Sequence, residues 1–333
     1  MIIETTSYPR AALIGNPSDG YYGKTIAFVF SNFSAKVQLY QTPKLEIKPE
    51  KLDQPIYNSL DDLVDGIQLN GYYGGVRLLT ATILTFYTYC KKNSIHLERK
   101  NFTICYNSDI PLRLGLAGSS AIITAGMKAL MLFYNIDIPK PILANLILSV
   151  ETEQLGISAG LQDRVAQVYE HPVFMNFDKE IMLKQGYGDY SIVDANKLPP
   201  IYIAYRNDQS QGSEVTHNNL RARFEIGEEK VHAAMKEWAA LAEKFRLAMD
   251  KGDHKSMHEL INRNFDLRES LIPITEENRK MVYLARSTGA SAKFTGSGGA
   301  IIGAYSDEIQ FRKLKEVLSV NGIDLIKPHI VIH

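Results

Sequence analysis

A glycine-rich segment constrains the fold of this chain more than any other stretch. It runs Pro111-Leu-Arg-Leu-Gly-Leu-Ala-Gly-Ser-Ser-Ala121, after a strand-like run at 102–106 and before apolar residues at helical spacing from Ile122 to Phe133. In the order strand, loop, helix, small residues let backbone N–H groups approach an anion, and the helix dipole adds positive charge. The segment therefore predicts either a nucleotide-phosphate loop or an ordinary turn in which a serine caps the helix.

The spacing of the glycines separates this segment from two common phosphate motifs. No lysine follows them, so the segment is not a P-loop, and their spacing differs from that of the dinucleotide fingerprint. Ser119 and Ser120 add hydroxyl groups that can reach a phosphate or a metal ion. A phosphate loop here would thus belong to another class of nucleotide-binding protein.

Composition limits the partners that this chain can have. Its 333 residues predict two domains, and 45% hydrophobic residues are enough to form their cores. The 37 basic and 37 acidic residues balance, which argues against nucleic-acid binding through a bulk positive field. Two cysteines (Cys90 and Cys105), no secretory signal at Met1 and interrupted apolar runs lead us to expect a cytoplasmic protein that does not contact membranes.

Strand-like and helix-like runs alternate in both halves, which predicts α/β or α+β layers. The predicted strands lie at 11–14, 25–30, 35–40, 102–106, 172–177, 200–205, 300–305 and 325–332. The predicted helices lie at 75–90, 121–134, 139–155, 228–250, 253–264, 279–287 and 307–319, and 206–219 is a polar connection. A polar, glycine-containing stretch near 178–197 divides the chain into domains at 1–180 and 181–333.

Charged residues between apolar elements are candidates for chemistry. Asp163 and Arg164 lie between an apolar helix and an apolar strand. They form either a surface ion pair or a carboxylate, held beside a cation, that orients a hydroxyl group. Glu151 enters the end of the apolar helix, where a carboxylate faces either solvent or a metal ion, and Glu153 is the alternative residue for either role.

Two further segments have the composition of binding loops. Arg10 precedes an apolar run that leads to Asn16 and Asp19, and Asp19 either caps a turn or binds sugar hydroxyls. The segment Thr295-Gly-Ser-Gly-Gly299 lacks bulky side chains, as expected where a ligand or another loop approaches the backbone. Its alternative role is a loop packed against its own domain.

Three segments together resemble the motifs of the GHMP kinases, which include galactokinase, homoserine kinase, mevalonate kinase and phosphomevalonate kinase. They are Tyr8–Asp19, Pro111–Ala121 and Lys293–Gly299, in the order of the family and at similar separations. The chain resembles most the glucuronokinase branch, through Gly15–Asp19, Ala159–Tyr169, Asn264–Arg268 and Ala292–Ala300.

The resemblance implies a two-domain α+β fold with the active site between the domains. The N-terminal domain would be ribosomal-S5-like and the C-terminal domain ferredoxin-like. The implied reaction transfers the γ-phosphoryl group of ATP, with Mg²⁺, to the anomeric hydroxyl of a uronic acid, most simply D-glucuronate. Galactose, fucose or a heptose phosphate are alternative acceptors, and a non-catalytic nucleotide-binding relative is the alternative of a different class.

The resemblance also implies roles for individual residues. The triphosphate would be wrapped by Gly115, Leu116, Ala117, Gly118, Ser119, Ser120 and Ala121, together with the third-motif residues Thr295, Gly296, Ser297 and Gly298. Ser120 and Glu151 match the residues that reach Mg²⁺. Asp163 matches the carboxylate that orients and deprotonates the acceptor hydroxyl, and Arg10 matches the residue that stabilises charge on the phosphoryl group.

Substrate-side residues are implied with less detail. Asn16 and Asp19 occupy positions that bind sugar hydroxyls in galactokinase-like members, although Asn16 replaces an acidic residue. The carboxylate of a uronic acid suits an arginine, for which the candidates are Arg113, Arg164 and Arg268. Tyr57 and Asn58 are candidates for contact with the nucleotide base. The expected partner is a small molecule, and the chain is expected to be a monomer or a homodimer.

Overall fold

The computed structural model describes residues 2–50, 53, 74–112, 114–206 and 214–333, with the backbone alone for 214–219. Three four-stranded sheets and ten α-helices make up this part of the chain. Two sheets are formed by residues before 193 and the third by residues after 200. Within the described residues, no helix is both long and apolar enough to cross a membrane.

The first sheet has the order β1-β4-β6-β5. Its strands are β1 (Ile2–Ser7), β4 (Ala35–Gln41), β5 (Glu46–Lys48) and β6 (Phe102–Ser108). Ala35, Val37 and Leu39 are buried while the residues between them are exposed, because successive side chains of a strand point to opposite faces. The loop at 115–121 follows the central strand β6, as the sequence predicts.

Four helices pack beside the sheets of the first half. They are α1 (Gly75–Lys92), α2 (Gly118–Tyr134), α3 (Lys140–Ser149) and α4 (Leu161–Tyr169). Helix α2 is buried along most of its length and contacts β1, β4 and α1, so the loop before it is held by a rigid element. One π-helical turn, Val150–Gln154, continues α3 and carries Glu151.

The second sheet brings the first motif close to the rest of the site. Its order is β2-β3-β7-β8, with β2 at Arg10–Ile14, β3 at Lys24–Val29, β7 at Val173–Asn176 and β8 at Asp189–Ile192. Helix α5 (Lys179–Gln185) connects the last two strands. Strand β8 extends this sheet to Ile192, and the division of domains at residue 180 stays a prediction.

The third sheet has the order β10-β11-β9-β12. Its strands are β9 (Ile201–Arg206), β10 (Lys293–Phe294), β11 (Ala300–Ala304) and β12 (Ile323–Ile326). The helices are α6 (Glu214–Glu225), α7 (Glu229–Lys251), α8 (His254–Leu271), α9 (Glu276–Arg286) and α10 (Glu308–Ser319). Trp238 of α7 is fully buried, and its indole N–H donates to the carbonyl of Asn264 on α8 at 3.1 Å.

Three predicted elements differ from the structure. The predicted helix at 139–155 is interrupted, because its last turn is π-helical. The prediction of a polar connection over 206–219 is partly wrong, since α6 begins at Glu214. The terminal strand predicted at 325–332 is also wrong in extent: β12 ends at Ile326, and Ile330 forms a single bridge with Phe30.

Candidate active site

The loop at 115–121 has the geometry of an anion site. Gly115 and Ala117 have φ angles of 64° and 62°, a region in which a non-glycine residue is uncommon. The hydroxyl of Ser120 donates to the carbonyl of Ala117 at 3.1 Å, and the N-cap position of α2 is occupied by Ala117, whose side chain cannot cap the helix. A serine at the N-cap is therefore not observed, and the amide groups at the start of a helix favour an anion.

The third-motif loop lies directly against this first loop. A Cβ atom on Gly296 would lie 2.5 Å from the carbonyl oxygen of Gly115, and one on Gly115 would lie 3.0 Å from the amide of Ser297. Real Cβ atoms essentially never approach as closely as 2.5 Å, so Gly296 requires glycine; at Gly115 the contact is tight and the φ of 64° adds backbone strain for any other residue. The two loops, 180 residues apart in sequence, form one surface.

Arg10 joins three segments of the site through a single guanidinium group. Its Nε and Nη2 lie 2.8 Å and 2.7 Å from Oδ1 of Asp163. Its Nη1 donates to the carbonyls of Thr295 at 2.5 Å and Gly115 at 3.2 Å. The side chain is buried, so these contacts fix where its charge lies.

Asp163 stands in the first turn of α4 between two arginines. Arg164 contacts its Oδ2 at 3.2 Å, donates to the carbonyl of Gly160 at 2.8 Å and forms a buried ion pair with Glu151. Burial alone would raise the pKa of Asp163, but Arg10 and Arg164 hold that pKa below its ordinary value. The carboxylate is thus ionised at neutral pH, as a group that accepts a proton must be.

Asp19 lies beside this cluster on a short 3-10 turn, Ser18–Tyr21. Its Oδ2 is 2.5 Å from where a Cβ of Gly160 would be, which places the carboxyl group at the start of α4. Burial, and then the charge of Asp163, raise the pKa of Asp19 to about 7. The two carboxyl groups therefore differ in protonation near neutral pH.

Asn16 and Asn264 connect this turn to the second half of the chain. The side chain of Asn264, on α8, accepts from the amide of Gly15 at 2.7 Å and donates to the carbonyl of Asn16 at 3.0 Å. The side-chain oxygen of Asn16 is buried and has no partner among the described residues. Sequence reasoning included Asn264 in a family-like segment but did not predict this contact.

Two buried basic side chains support the third-motif loop. Arg268 donates to the carbonyls of Gly296 at 2.8 Å and Ser297 at 2.6 Å. Lys293 donates to the carbonyls of Ala12 at 2.7 Å and Phe294 at 2.8 Å. Burial, with the charges of Arg268 and Arg10, lowers the pKa of Lys293 well below its ordinary value. Sequence reasoning placed Lys293 in the third motif but gave it no role, although it is the one charge in the run Ala290–Ala300.

The structure brings most of the predicted site residues together. Arg10, Asp163, Arg164 and Glu151 share ion pairs, and the two loops contact Arg10 or each other. Within the parts of the chain that the structure describes, no three His, Cys, Asp or Glu side chains cluster as a metal site. Arg113, Tyr57 and Asn58 lie outside the described residues.

Comparisons with known proteins agree with this geometry. The family model for the N-terminal domain of GHMP kinases matches residues 79–171, and the model for the GHMP kinase C-terminal domain matches residues 242–323. Probable glucuronokinase 2 of Arabidopsis thaliana is 47% identical over 308 residues, which cover 90% of this chain and 84% of the relative. Glucuronokinase 1 of the same plant is 44% identical over 306 residues, with the same coverage.

A solved structure supports the fold independently. The structure of Lactococcus lactis galactokinase complexed with galactose superposes with a TM-score of 0.80 at 16% identity. It covers 99% of this chain and 94% of that one. The similarity extends over both halves, so the arrangement of the two domains is shared along with each domain.

Proposed function

The chain belongs to the GHMP kinases, and we propose that it transfers the γ-phosphoryl group of ATP to the anomeric hydroxyl of D-glucuronate. The product is glucuronate 1-phosphate. The substrate is proposed from the two glucuronokinases, which match 90% of this chain. The observation that carries the chemistry is the contact of Arg10 with Asp163 at the junction of the two glycine-rich loops.

Asp163 acts on the acceptor in this proposal. Its carboxylate orients the anomeric hydroxyl and accepts its proton as the oxygen attacks phosphorus. The anomeric hydroxyl is more acidic than an ordinary alcohol, so a carboxylate with a lowered pKa suffices as the base. Arg10, fixed by the carbonyls of Gly115 and Thr295, stabilises the charge on the transferring group.

The nucleotide is proposed to lie along the joined loops. The residues concerned are Gly115, Leu116, Ala117, Gly118, Ser119, Ser120, Ala121, Thr295, Gly296, Ser297 and Gly298. The start of α2 supports this placement, because it offers the positive end of a helix dipole to the phosphates. Phosphoryl transfer depends on such positioning and charge more than on covalent help from the protein.

Two side chains fit the Mg²⁺ ion that the family uses. The hydroxyl of Ser120 keeps its oxygen lone pairs, since it donates its proton to Ala117. Oε2 of Glu151 pairs with Arg164, and Oε1 has no hydrogen-bond partner among the described residues. One hydroxyl and one carboxylate suit Mg²⁺, which completes its coordination with phosphates and water. The bound ion would neutralise charge on the phosphates of ATP.

The sugar is proposed to bind between the 3-10 turn and α4. The unpartnered oxygen of Asn16 supports this placement, because a buried acceptor without a partner is satisfied when a sugar hydroxyl donates to it. Asp19, on the same turn, would bind a second hydroxyl. We propose that the enzyme acts as a monomer or homodimer in the cytoplasm, where the unpaired thiols of Cys90 and Cys105 would stay reduced.

A panel of acceptors tests the proposal. Purified protein is incubated with Mg-ATP and D-glucuronate, D-galacturonate, D-galactose, L-fucose, a heptose phosphate or mevalonate, and ADP release is measured. We expect turnover with glucuronate and a product phosphorylated at the anomeric oxygen by ³¹P NMR. Turnover with neutral sugars or mevalonate but not with uronates would reject the substrate. Binding of ATP without turnover of any acceptor would indicate a non-catalytic relative.

A further inference from the structure

An acceptor with a carboxylate needs a cation that is not already used by the protein. Two arginines that the sequence suggested for this role are occupied: Arg164 by Glu151, Asp163 and Gly160, and Arg268 by the carbonyls of Gly296 and Ser297. Arg268 is also buried, and that burial lowers its pKa to about 10. Neither guanidinium can turn to a substrate without breaking contacts that shape the loops and α4.

A different arginine lies at the same turn as Asp19. Arg221, on α6, has Nη2 at 3.8 Å from where a Cβ of Gly20 would be. Its guanidinium lies over the ring of Tyr21, 5.1 Å from the ring centroid. It is exposed, and no acidic side chain of the described residues forms an ion pair with it, Glu225 on its own helix included.

Aromatic packing fixes the surface on which this cation rests. The ring of Tyr21 lies 4.9 Å from that of Phe224, which in turn stacks on His232 at 4.2 Å. A guanidinium over an aromatic ring uses the face of the ring for its attraction, so its N–H groups can still donate to a planar anion. The turn that carries Asp19 thus has a cation beside its next two residues, Gly20 and Tyr21.

We propose that Arg221 is the residue that selects an acidic acceptor, by binding the carboxylate of the uronate with its guanidinium. The inference rests on the proposed function, because it names the group that recognises that substrate. A carboxylate and a guanidinium match in geometry and can form two parallel hydrogen bonds. The contact is remote from the anomeric hydroxyl, so it contributes to binding and discrimination rather than to the chemical step.

The test compares acceptors that differ only in charge. Kinetics with D-glucuronate and D-glucuronamide are measured for the wild type, Arg221→Gln and Arg221→Lys. We expect Arg221→Gln to raise KM for glucuronate by about 10-fold or more, in line with the loss of a charged hydrogen bond. KM for glucuronamide and kcat for both acceptors should stay within about twofold. Arg221→Lys, which keeps the charge, should recover part of the affinity for glucuronate.

Arg312→Gln is the matched control, because Arg312 is also exposed but lies on α10. It should leave KM and kcat unchanged for both acceptors. The unfolding midpoints of Arg221→Gln, Arg221→Lys and Arg312→Gln should equal that of the wild type. Equal KM for glucuronate in wild type and Arg221→Gln would overturn the inference. So would a rise in KM that is the same for glucuronate and glucuronamide, because it would indicate a structural role.

Failure of the inference and failure of the proposed function give different results. A wild type that phosphorylates glucuronate, with Arg221→Gln unaffected, rejects only the role of Arg221. A wild type that phosphorylates neutral sugars and not glucuronate rejects the proposed substrate, and with it the need for a carboxylate-binding residue. If the wild type prefers glucuronate and Arg221→Gln does not, the result supports both the proposed substrate and the role of Arg221.

Discussion

Asp163 and Asp19 lie in one cluster but have opposite electrostatic environments. Asp163 contacts two guanidinium groups, whereas Asp19 forms no ion pair among the described residues, and its burial and then the charge of Asp163 disfavour its ionised form. The pKa values therefore differ: that of Asp163 lies below the ordinary value, and that of Asp19 is raised to about 7. Carboxyl groups separated in this way can take different roles in a single site.

Replacement of Asp163 tests the base. Asp163→Asn keeps the size of the side chain but removes the group that accepts the proton, so we expect kcat to fall by roughly 100-fold or more. The affinity for ATP, measured by titration calorimetry, should stay near that of the wild type. Asp137→Asn is the control, because Asp137 is exposed in the turn before α3. Near-normal turnover of Asp163→Asn would reject the assigned role.

Replacement of Asp19 tests its raised pKa. The folded state holds the proton of Asp19 up to a pKa of about 7, against an ordinary value of 3.8, so wild-type stability is lost as pH rises from 4 to 7. Asp19→Asn lacks this term. We expect the free energy of unfolding of Asp19→Asn, relative to that of the wild type, to increase by roughly 2 to 4 kcal/mol between pH 4 and pH 8 in urea titrations. A difference that does not vary with pH would contradict the shift.

Single residues could be predicted where a family motif contains them, and not where burial decides their role. The resemblance implies that Arg10 and Asp163 lie in one site, and the structure places Nη2 of Arg10 2.7 Å from Oδ1 of Asp163. Lys293 was not expected, because a lysine in a sequence normally indicates an exposed position. Its two carbonyl partners, on Ala12 and Phe294, become neighbours only when β2 and β10 meet.

At the scale of elements, helix α8 fixes the turn that is proposed to bind the sugar. Asn264 holds both the amide of Gly15 and the carbonyl of Asn16, and Asn262, two residues earlier, accepts from the amide of Ala292. One helix thus supports two segments through two asparagines. Only one of those segments carries proposed substrate residues.

Asn264→Ala should therefore affect substrate binding as well as stability. Leaving two buried backbone groups without partners costs about 1 to 3 kcal/mol for each, and the turn at 15–19 loses its support. We expect KM for the sugar to rise several-fold in steady-state assays. Asn262→Ala is the matched control: it should lose stability but keep the sugar KM. The same KM in both variants would contradict a role for Asn264 in the turn.

Elements with strong periodicity could be predicted, whereas those defined by tertiary contacts could not. Helix α1 and strands β3, β4 and β9 agree with prediction within a few residues, because their apolar spacing is set by one buried face or by full burial. Strand β8 and helix α6 were missed, since both are short or polar. The π-helical turn at Glu151 leaves no mark in an apolar pattern.

At the scale of the whole molecule, two loops from different halves must fit together. A Cβ on Gly296 would lie 2.5 Å from the carbonyl oxygen of Gly115 and 3.1 Å from Nη1 of Arg10. Gly296→Ala therefore separates the loops, and we expect kcat/KM for ATP to fall by about 10- to 100-fold, since small displacements of this kind are costly in catalysis.

Gly227→Ala is the control for this change. Gly227 has a φ of 82° with no atom within 4 Å of an added Cβ, so the variant has backbone strain alone. It should lose about 1 kcal/mol of stability and keep kcat/KM. A Gly296→Ala protein with normal kcat/KM would show that the joined loops tolerate separation.

Residues 327–333 follow the third sheet but return to the first half of the molecule. The amide of Val331 donates to Val29, the amide of Ser31 donates to His329, and the side chain of Asn32 binds Lys327 and His329. These bonds tie the segment after the third sheet to the end of strand β3 and to the residues that follow it. Wide separation of the domains would have to break these hydrogen bonds, so the C-terminal segment acts as a tether that opposes such a separation.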